Sequence, residues 1–263
     1  MTKIAIFGAC GRMGRKLIAL AHKDQQVTLQ GAIASPKDPL LNQDIGNIVG
    51  IGQLNIPITS QITPHTQAII DFSSPAATKT AIAQAQQNNA ALVIGTTGLS
   101  PQDQQNIDQA AKSIPILQAP NMSLGVNLLF VLAAQVAKQL GDEYDIEIIE
   151  SHHRFKKDSP SGTALGIAQA ICNATGKDID KDLDHGRQGP DTQRKPGRIG
   201  MHAIRQGDIV GDHTASFANL GERIELTHIA SNRDVFAYGA IKAAKWLATQ
   251  KPGRYTMKNV LGL

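Results

Sequence analysis

The sequence predicts an α/β fold: a doubly wound parallel sheet, followed by an α+β part with a mixed or antiparallel sheet. Three observations predict it. Short apolar runs rich in β-formers alternate with helical segments from Lys3 to Gln118. After Ser123 the pattern changes to one long amphipathic helix and then a series of strand-like stretches. The 263 residues, 41% hydrophobic and 18% charged, are enough for one large domain or two modest ones, each with a real core.

Lys3 to Phe7 reads as a buried parallel strand, Arg12 to His22 as a helix and Val27 to Ala34 as the next strand, which together make a βαβ unit. Ala68 to Phe72 repeats the strand pattern. Ser74-Pro75 then starts a helix reaching about Gln87, with serine as N-cap and proline at the first helical position. Ala91 to Ile94 is a strand, Ser100-Pro101 starts another helix, and Ile114 to Gln118 is a further strand. Beyond these, Gly125 to Leu140 reads as a helix stopped by Gly141, Asp145 to Ser151 as a strand, and Thr163 to Thr175 as a helix stopped by Gly176. Lys177 to Gly197 shows no periodicity and is expected to be a long loop. Gly200–Arg205, Asp208–Asn219 and Arg223–Ser231 read as an antiparallel meander, and Phe236 to Ala248 as a closing helix that packs back on the first domain. The expected domains are 1–123 with 233–263, and 124–232.

Aromatics are only 4%, so Ala, Ile, Leu and Val must build the cores. The net charge of +4 and pI near 9.1 suit anionic small molecules. No concentrated basic face is evident, so no nucleic-acid partner is expected. Cys10 and Cys172 stand far apart, which fits a reducing compartment better than a disulfide framework. No signal peptide is read at the start, and the apolar stretch around Leu128 to Ala134 is short for a membrane span of about 20 residues. A soluble cytoplasmic protein with no membrane partner is therefore expected.

In a doubly wound sheet the loops after the strand C-termini form the ligand crevice. The first such loop is Gly8-Ala9-Cys10-Gly11-Arg12-Met13-Gly14. A helix N-terminus offers unpaired N–H groups to phosphate, and glycines let a pyrophosphate approach the backbone. The spacing G-x-x-G-x-x-G departs from strict G-x-G-x-x-G at Cys10, but a strand precedes it and a helix follows. It points to a dinucleotide, the alternative being a purely structural turn. After the second strand, an acid would favour the ribose 2′-hydroxyl of NADH, yet Ala34-Ser35-Pro36-Lys37 carries none. Ser35 and Lys37 suit a 2′-phosphate, so NADPH is expected to serve at least as well as NADH; equally, Lys37 reads as a solvated loop lysine.

The densest chemical cluster is Glu150-Ser151-His152-His153-Arg154-Phe155-Lys156-Lys157-Asp158-Ser159-Pro160-Ser161-Gly162-Thr163. It leaves a strand, crosses a polar loop and enters a helix. Its cations and helix start suit a carboxylate-bearing substrate, and a histidine or lysine there can deliver a proton. Paired histidines also bind metals, but no third ligand is near, so no metal is expected. A solvated charged face is the plainer alternative. A second basic group, Arg187, Arg194, Lys195, Arg198 and Arg205, reads as solvated loop or subunit contact.

Along nearly its whole length the chain resembles the 4-hydroxy-tetrahydrodipicolinate (dihydrodipicolinate) reductase family of lysine and diaminopimelate biosynthesis. The residues that carry the resemblance are Glu150 to Ala164, Gly95-Thr96-Thr97-Gly98, Asn121 to Asn127 and Gly207 to Thr214, in that family's order. The resemblance implies a Rossmann-type dinucleotide domain, a substrate and oligomerisation domain, and a homotetramer built through the second domains' sheets. It implies hydride transfer from NADPH or NADH to C4 of a cyclic imine dicarboxylate, with His152 and Lys156 as proton-transfer groups and His153, Gly162 and Thr163 holding carboxylate. The cofactor contacts it implies are Gly8, Ala9, Cys10, Gly11, Arg12, Met13, Gly95, Thr96, Thr97, Ala119, Pro120, Asn121, Met122 and Arg233. The family often carries an acid where Ser35 stands, and alanine and phenylalanine where Pro120 and Met122 stand. Another small-substrate dehydrogenase on the same scaffold is the competing enzyme, and a dinucleotide-sensing or nucleic-acid-binding protein the non-enzyme alternative.

Overall fold

The computed structural model describes residues 1–263. The chain divides into two compact units, Met1–Leu124 with Asp234–Leu263, and Gly125–Arg233.

The first unit is built on a seven-stranded, wholly parallel sheet. Its strands are β1 (Thr2–Phe7), β2 (Val27–Ile33), β3 (Ile58–Thr59), β4 (Ala68–Asp71), β5 (Ala91–Ile94), β6 (Pro115–Gln118) and β12 (Gly253–Tyr255), in the order β12-β6-β5-β4-β1-β2-β3. Alternation decides which side chain faces which layer. Ile4, Ile6, Ile70 and Val93 point to one face. There they meet α1 (Arg12–Lys23), α2 (Ile45–Val49), α8 (Asp234–Leu247) and α9 (Met257–Leu261). Ala5, Phe7, Ile69, Leu92 and Ile94 point to the other, against α3 (Pro75–Gln87) and α4 (Pro101–Ala110). Each fully buried Ile or Leu contributes about 1.5–3 kcal/mol, so a core nearly free of aromatics is sufficient. The sheet order reverses between β1 and β4, which fixes the ligand crevice outside their C-termini.

Ser74 and Ser100 cap α3 and α4 with prolines following, as expected. The closing helix α8 does pack on the first unit, against α1, β4 and β5. The sequence reading misses α2, β3, β12 and α9.

The second unit carries a five-stranded sheet with α5 (Leu124–Leu140) and α6 (Gly162–Thr175) on one face. Its strands are β7 (Asp145–His152), β8 (Leu183–His185), β9 (Ile199–Arg205), β10 (Gly211–Asn219) and β11 (Glu222–Ala230), in the order β11-β10-β7-β9-β8. The expected three-strand meander is corrected: β10 and β11 form a hairpin, but β9 pairs with β7, in parallel. The sheet is therefore mixed. The expected long loop contains the short helix α7 (Ile179–Asp182) and β8, which adds a parallel edge strand beside β9. The apolar stretch also runs further than expected. Leu124–Glu143 is long and apolar enough to cross a membrane by length and composition, yet Leu129, Ala133 and Ala137 pack into the second unit's core.

Candidate active site

The expected site residues fall into two groups, one in each unit. In the first unit, β1 delivers the chain into a turn that only glycine tolerates. Gly8 has φ +75°, and a Cβ there would lie 2.5 Å from the Phe72 carbonyl oxygen. A Cβ on Gly14 would lie 2.0 Å from the Gly8 oxygen, so helix and strand meet at backbone distance. Gly8 and Ala9 N–H groups both donate to the Ile33 carbonyl, and the Gly11 N–H donates to Gly8. Gly11, the N-cap of α1, brings no side-chain cap. Arg12 and Met13 amides thus head the helix with no intrahelical partner, a ready anion site.

A cavity of about 540 Å³ opens beside this turn, lined by Gly8, Cys10, Gly11, Ser35, Asp38 and Phe72 among others. That volume suits a nucleotide-sized ligand. The uncapped helix, the glycine turn and the cavity fit a dinucleotide. Lys37 does not line the cavity; its backbone N–H donates to Ser35 Oγ at 3.2 Å. Burial, with the Asp38 carboxylate beside it, pushes the Cys10 thiol up to about 11, so it is a packing group here rather than a nucleophile.

The loops after β5 and β6 line a further cavity of about 300 Å³, with Thr96, Thr97, Ala119 and Pro120 in its wall. The tip of the Phe72 ring abuts Gly95, where a Cβ would lie 2.4 Å from its Cζ. Asn121 Oδ1 accepts the Ser123 N–H at 2.9 Å, while the Met122 side chain is buried in the core and leaves only its backbone for a ligand. Arg233 is exposed at the end of the second unit, in the turn before α8.

Beneath these loops lies Asp71, fully buried at the end of β4. Burial holds its carboxyl above the usual range, although it accepts from Ser73, from Thr78 Oγ1 at 2.6 Å and from Thr96 Oγ1 at 3.2 Å. It ties the Gly95–Thr97 loop to α3. The sequence reading missed it; its signal is a carboxylate ending an otherwise apolar buried strand.

In the second unit, alternation along β7 buries Ile146, Ile148, Glu150 and His152 on one face. The first two join the core; the last two reach the strand's C-terminal end and build the site. His152 Nδ1 lies 2.5 Å from Glu150 Oε2. Arg205 forks onto Glu150 from β9 at 2.8 and 2.9 Å, and the Ser161 N–H donates to it at 3.0 Å. Burial opposes ionisation of Glu150, but these donors outweigh it and hold the carboxyl below the usual range. Burial lowers the pKa of His152, partly offset by Glu150.

Sheet register explains the convergence. On β10, His213 stands opposite Glu150; on β9, Arg205 stands opposite His152. The His213 and His152 rings meet edge to face at 5.1 Å, and His213 Nε2 lies 3.0 Å from Ser161 Oγ. Ser161 caps α6 by accepting the Ala164 N–H, so Gly162 and Thr163 open that helix as expected. Lys156 is held by Asp158 at 2.7 and 2.9 Å, and His153 Nδ1 is buried without a partner. His152, Lys156, Gly162 and Thr163 therefore belong to one loop-and-helix end.

The second basic group is corrected: it is not loosely solvated. Arg187 and Arg194 bind Glu147, Arg198 binds Asp184, and Arg205 belongs to the site itself. From sequence, Arg205 is read only as part of a basic group, and Glu150 and His213 are given no separate role.

Residues 2–122 match the family described as "Dihydrodipicolinate reductase, N-terminus", and residues 125–261 match "Dihydrodipicolinate reductase, C-terminus". A 4-hydroxy-tetrahydrodipicolinate reductase of Magnetococcus marinus is 48% identical over 99% of this chain and 98% of that protein. One of Pseudoalteromonas atlantica is 47% identical over the full length of both. A dipicolinate-bound dihydrodipicolinate reductase from Paenisporosarcina shares the fold with a TM-score of 0.76 at 22% identity, covering 97% of each chain. With both halves matched in order and relatives nearly half identical along their whole lengths, the chain belongs to the dihydrodipicolinate reductase family.

Proposed function

We propose that this chain catalyses the NAD(P)H-dependent reduction of 4-hydroxy-tetrahydrodipicolinate to tetrahydrodipicolinate, in lysine and diaminopimelate biosynthesis. The observation that carries the reading is the gathering of His152, Lys156 and the α6 N-terminus into one site, on a chain of this family. The net change is uptake of a hydride and a proton with loss of water.

Residues 1–123 with 233–263 form the dinucleotide domain in this reading, and 124–232 the substrate and oligomerisation domain. Gly8 to Met13, Gly95 to Thr97, Ala119 to Met122 and Arg233 hold the cofactor. When bound, the reduced nicotinamide supplies the hydride to C4 of the cyclic imine dicarboxylate. The N–H groups of Gly162 and Thr163 at the head of α6, with the His153 side chain, hold substrate carboxylate. His152 and Lys156 deliver the proton; fixing donor and acceptor in place supplies most of the rate gain. Ser35, in the cavity wall, suits either a ribose 2′-hydroxyl or a 2′-phosphate, so both cofactors serve and NADPH serves at least as well as NADH.

The enzyme is a homotetramer in this reading, assembled through the second unit's sheet. Supporting it, the sheet face away from α5 and α6 exposes Ile149, Ile204 and Ile229, at 36%, 40% and 65%. The two unpaired cysteines accord with a cytoplasmic enzyme.

The test is oxidation of NADPH and of NADH with freshly made synthase product. Turnover with both, at least equal for NADPH, is expected. A strong NADH preference would sink the cofactor assignment, and turnover of a different small substrate alone would favour another dehydrogenase on this scaffold.

A further inference from the structure

We infer that Glu150, clamped by Arg205, is a positioning residue for the reduction: one buried carboxylate sets both the His152 imidazole and the carboxylate-binding end of α6. The inference rests on the function proposed above and goes a step further, to how the site is held.

Four donors from three elements converge on two oxygens. Oε2 takes His152 Nδ1 at 2.5 Å and Arg205 Nη1 at 2.9 Å. Oε1 takes Arg205 Nη2 at 2.8 Å and the Ser161 N–H at 3.0 Å. The carboxylate is fully buried and its lone pairs are spent. It therefore neither binds substrate nor moves a proton itself; it acts through its neighbours. Buried ion pairs are weak devices for stability alone, since apolar packing does as well. This one joins the proton donor to the anion site.

The consequence for His152 is a fixed tautomer. Nδ1–H donates to Glu150, which leaves Nε2 as the nitrogen that exchanges a proton. Nε2 faces Gly211, where a Cβ would stand 3.0 Å away, so the missing side chain keeps that atom clear. The consequence for α6 is a pinned first residue. The Ser161 N–H is held by Glu150, while its Oγ accepts from Ala164 and meets His213. Gly162 and Thr163 follow directly. The charged and titratable groups facing His152 are Glu150 on its own strand, Arg205 on β9, His213 on β10 and Lys156 in the loop. Glu150 is the one anion among them, and it offsets the bias of burial toward the neutral ring.

Glu150→Gln tests this, because glutamine has the same shape but one oxygen and two N–H groups. Either orientation sets the amide nitrogen against two donors: His152 with one Arg205 nitrogen, or Ser161 with the other. With NADPH and 4-hydroxy-tetrahydrodipicolinate, kcat is expected to fall about 10²-fold, the scale of a misplaced general acid. KM for the dicarboxylate is expected to rise about fivefold, the worth of one hydrogen bond. The alkaline limb of kcat/KM should move to lower pH, because the anion that favours the imidazolium is gone. Nitrogen NMR of the ring should show neutral His152 as Nδ1–H in the wild type and as a mixture of Nδ1–H and Nε2–H in the variant, because the amide can present either its oxygen or its nitrogen to the ring. The affinity for NADPH should be unchanged. Arg205→Lys keeps the charge and the anion beside His152 but loses the fork; it should lower kcat and raise KM by less, with the ring tautomer and NADPH affinity unchanged, and that kcat and KM change carries the test if Glu150→Gln does not fold.

A Glu150→Gln protein with the wild-type pH profile and ring tautomer, losing rate only in proportion to its folded fraction, would overturn the inference alone. Wild-type protein that turns over no 4-hydroxy-tetrahydrodipicolinate would overturn the proposed function, and this inference with it.

Discussion

His213 is neutral at physiological pH because burial, reinforced by the charges of His152 and Lys156, pushes its pKa down to about 4 from the ordinary 6.5. The sign follows from proton linkage. The unfolded chain takes up this proton near pH 6.5 and the folded chain only near pH 4, so stability is full above 6.5 and falls as the pH drops toward 4. The loss is about 3 kcal/mol at 1.36 kcal/mol per unit. Urea unfolding from pH 7 to 4 should show this extra slope in the wild type and not in His213→Gln; parallel curves would refute it. At the same scale, Lys156→Ala should lose about 10²–10³ in kcat, the range for general acid catalysis, while its NADPH affinity by fluorescence titration stays that of the wild type. His152→Gln should lose less, because a water can substitute; a Lys156→Ala enzyme at full rate would show the proposed donor is wrong. His152 and Lys156 were legible in the sequence as a concentration of cationic side chains entering a helix. Arg205 and His213 were not, because their roles come from strand register. Each lies more than fifty residues from Glu150, and neither pairing shows in a local pattern.

Among the elements, the β1–turn–α1 junction tolerates little change. The nearest neighbours of a Cβ on Gly14 are backbone atoms of Gly8 and Ala9, which cannot move aside as a flexible side chain would. Gly14→Ala should therefore cost about 1–3 kcal/mol, the range for overpacking. It should also weaken NADPH binding about tenfold, because the Arg12 and Met13 amides shift with the helix and one charge-assisted hydrogen bond is worth that much. Gly11→Ala, whose Cβ would be 3.2 Å from the Gly8 oxygen, should cost less. Equal effects in calorimetry and cofactor titration would contradict this account. The junction was legible because strand, glycine spacing and helix each leave a signature. So were α3 and α4, whose Ser-Pro starts fix N-cap and first turn together. The short strands β3, β8 and β12 were not, because two or three residues carry no periodicity. The β9 pairing failed for another reason: strands that follow one another suggest a meander, whereas β7 lies between β10 and β9 in the sheet.

At the scale of the whole molecule, the prediction concerns assembly. Sedimentation should give four times the 28.0 kDa chain mass, and Ile229→Glu should reduce it, since a charge on the uncovered sheet face cannot be buried without a partner. A tetramer indifferent to Ile229→Glu would move the interface elsewhere. The change of pattern after Ser123 lies beside the division between the two compact units, and the closing helix marks the return of the chain to the first. That return has a consequence for how the protein is made. The first unit places β12 beside β6, and α8 supplies Ala237, Ala240, Ile241, Ala244 and Leu247 to its core. A ribosome has therefore synthesised the entire second unit before the first can close its hydrophobic layer. The nascent first unit waits with one face of its sheet incompletely covered, while the 109 residues of Gly125–Arg233 are free to fold as soon as they emerge. The unit whose chain begins first is thus completed last, after the whole of the other has been synthesised.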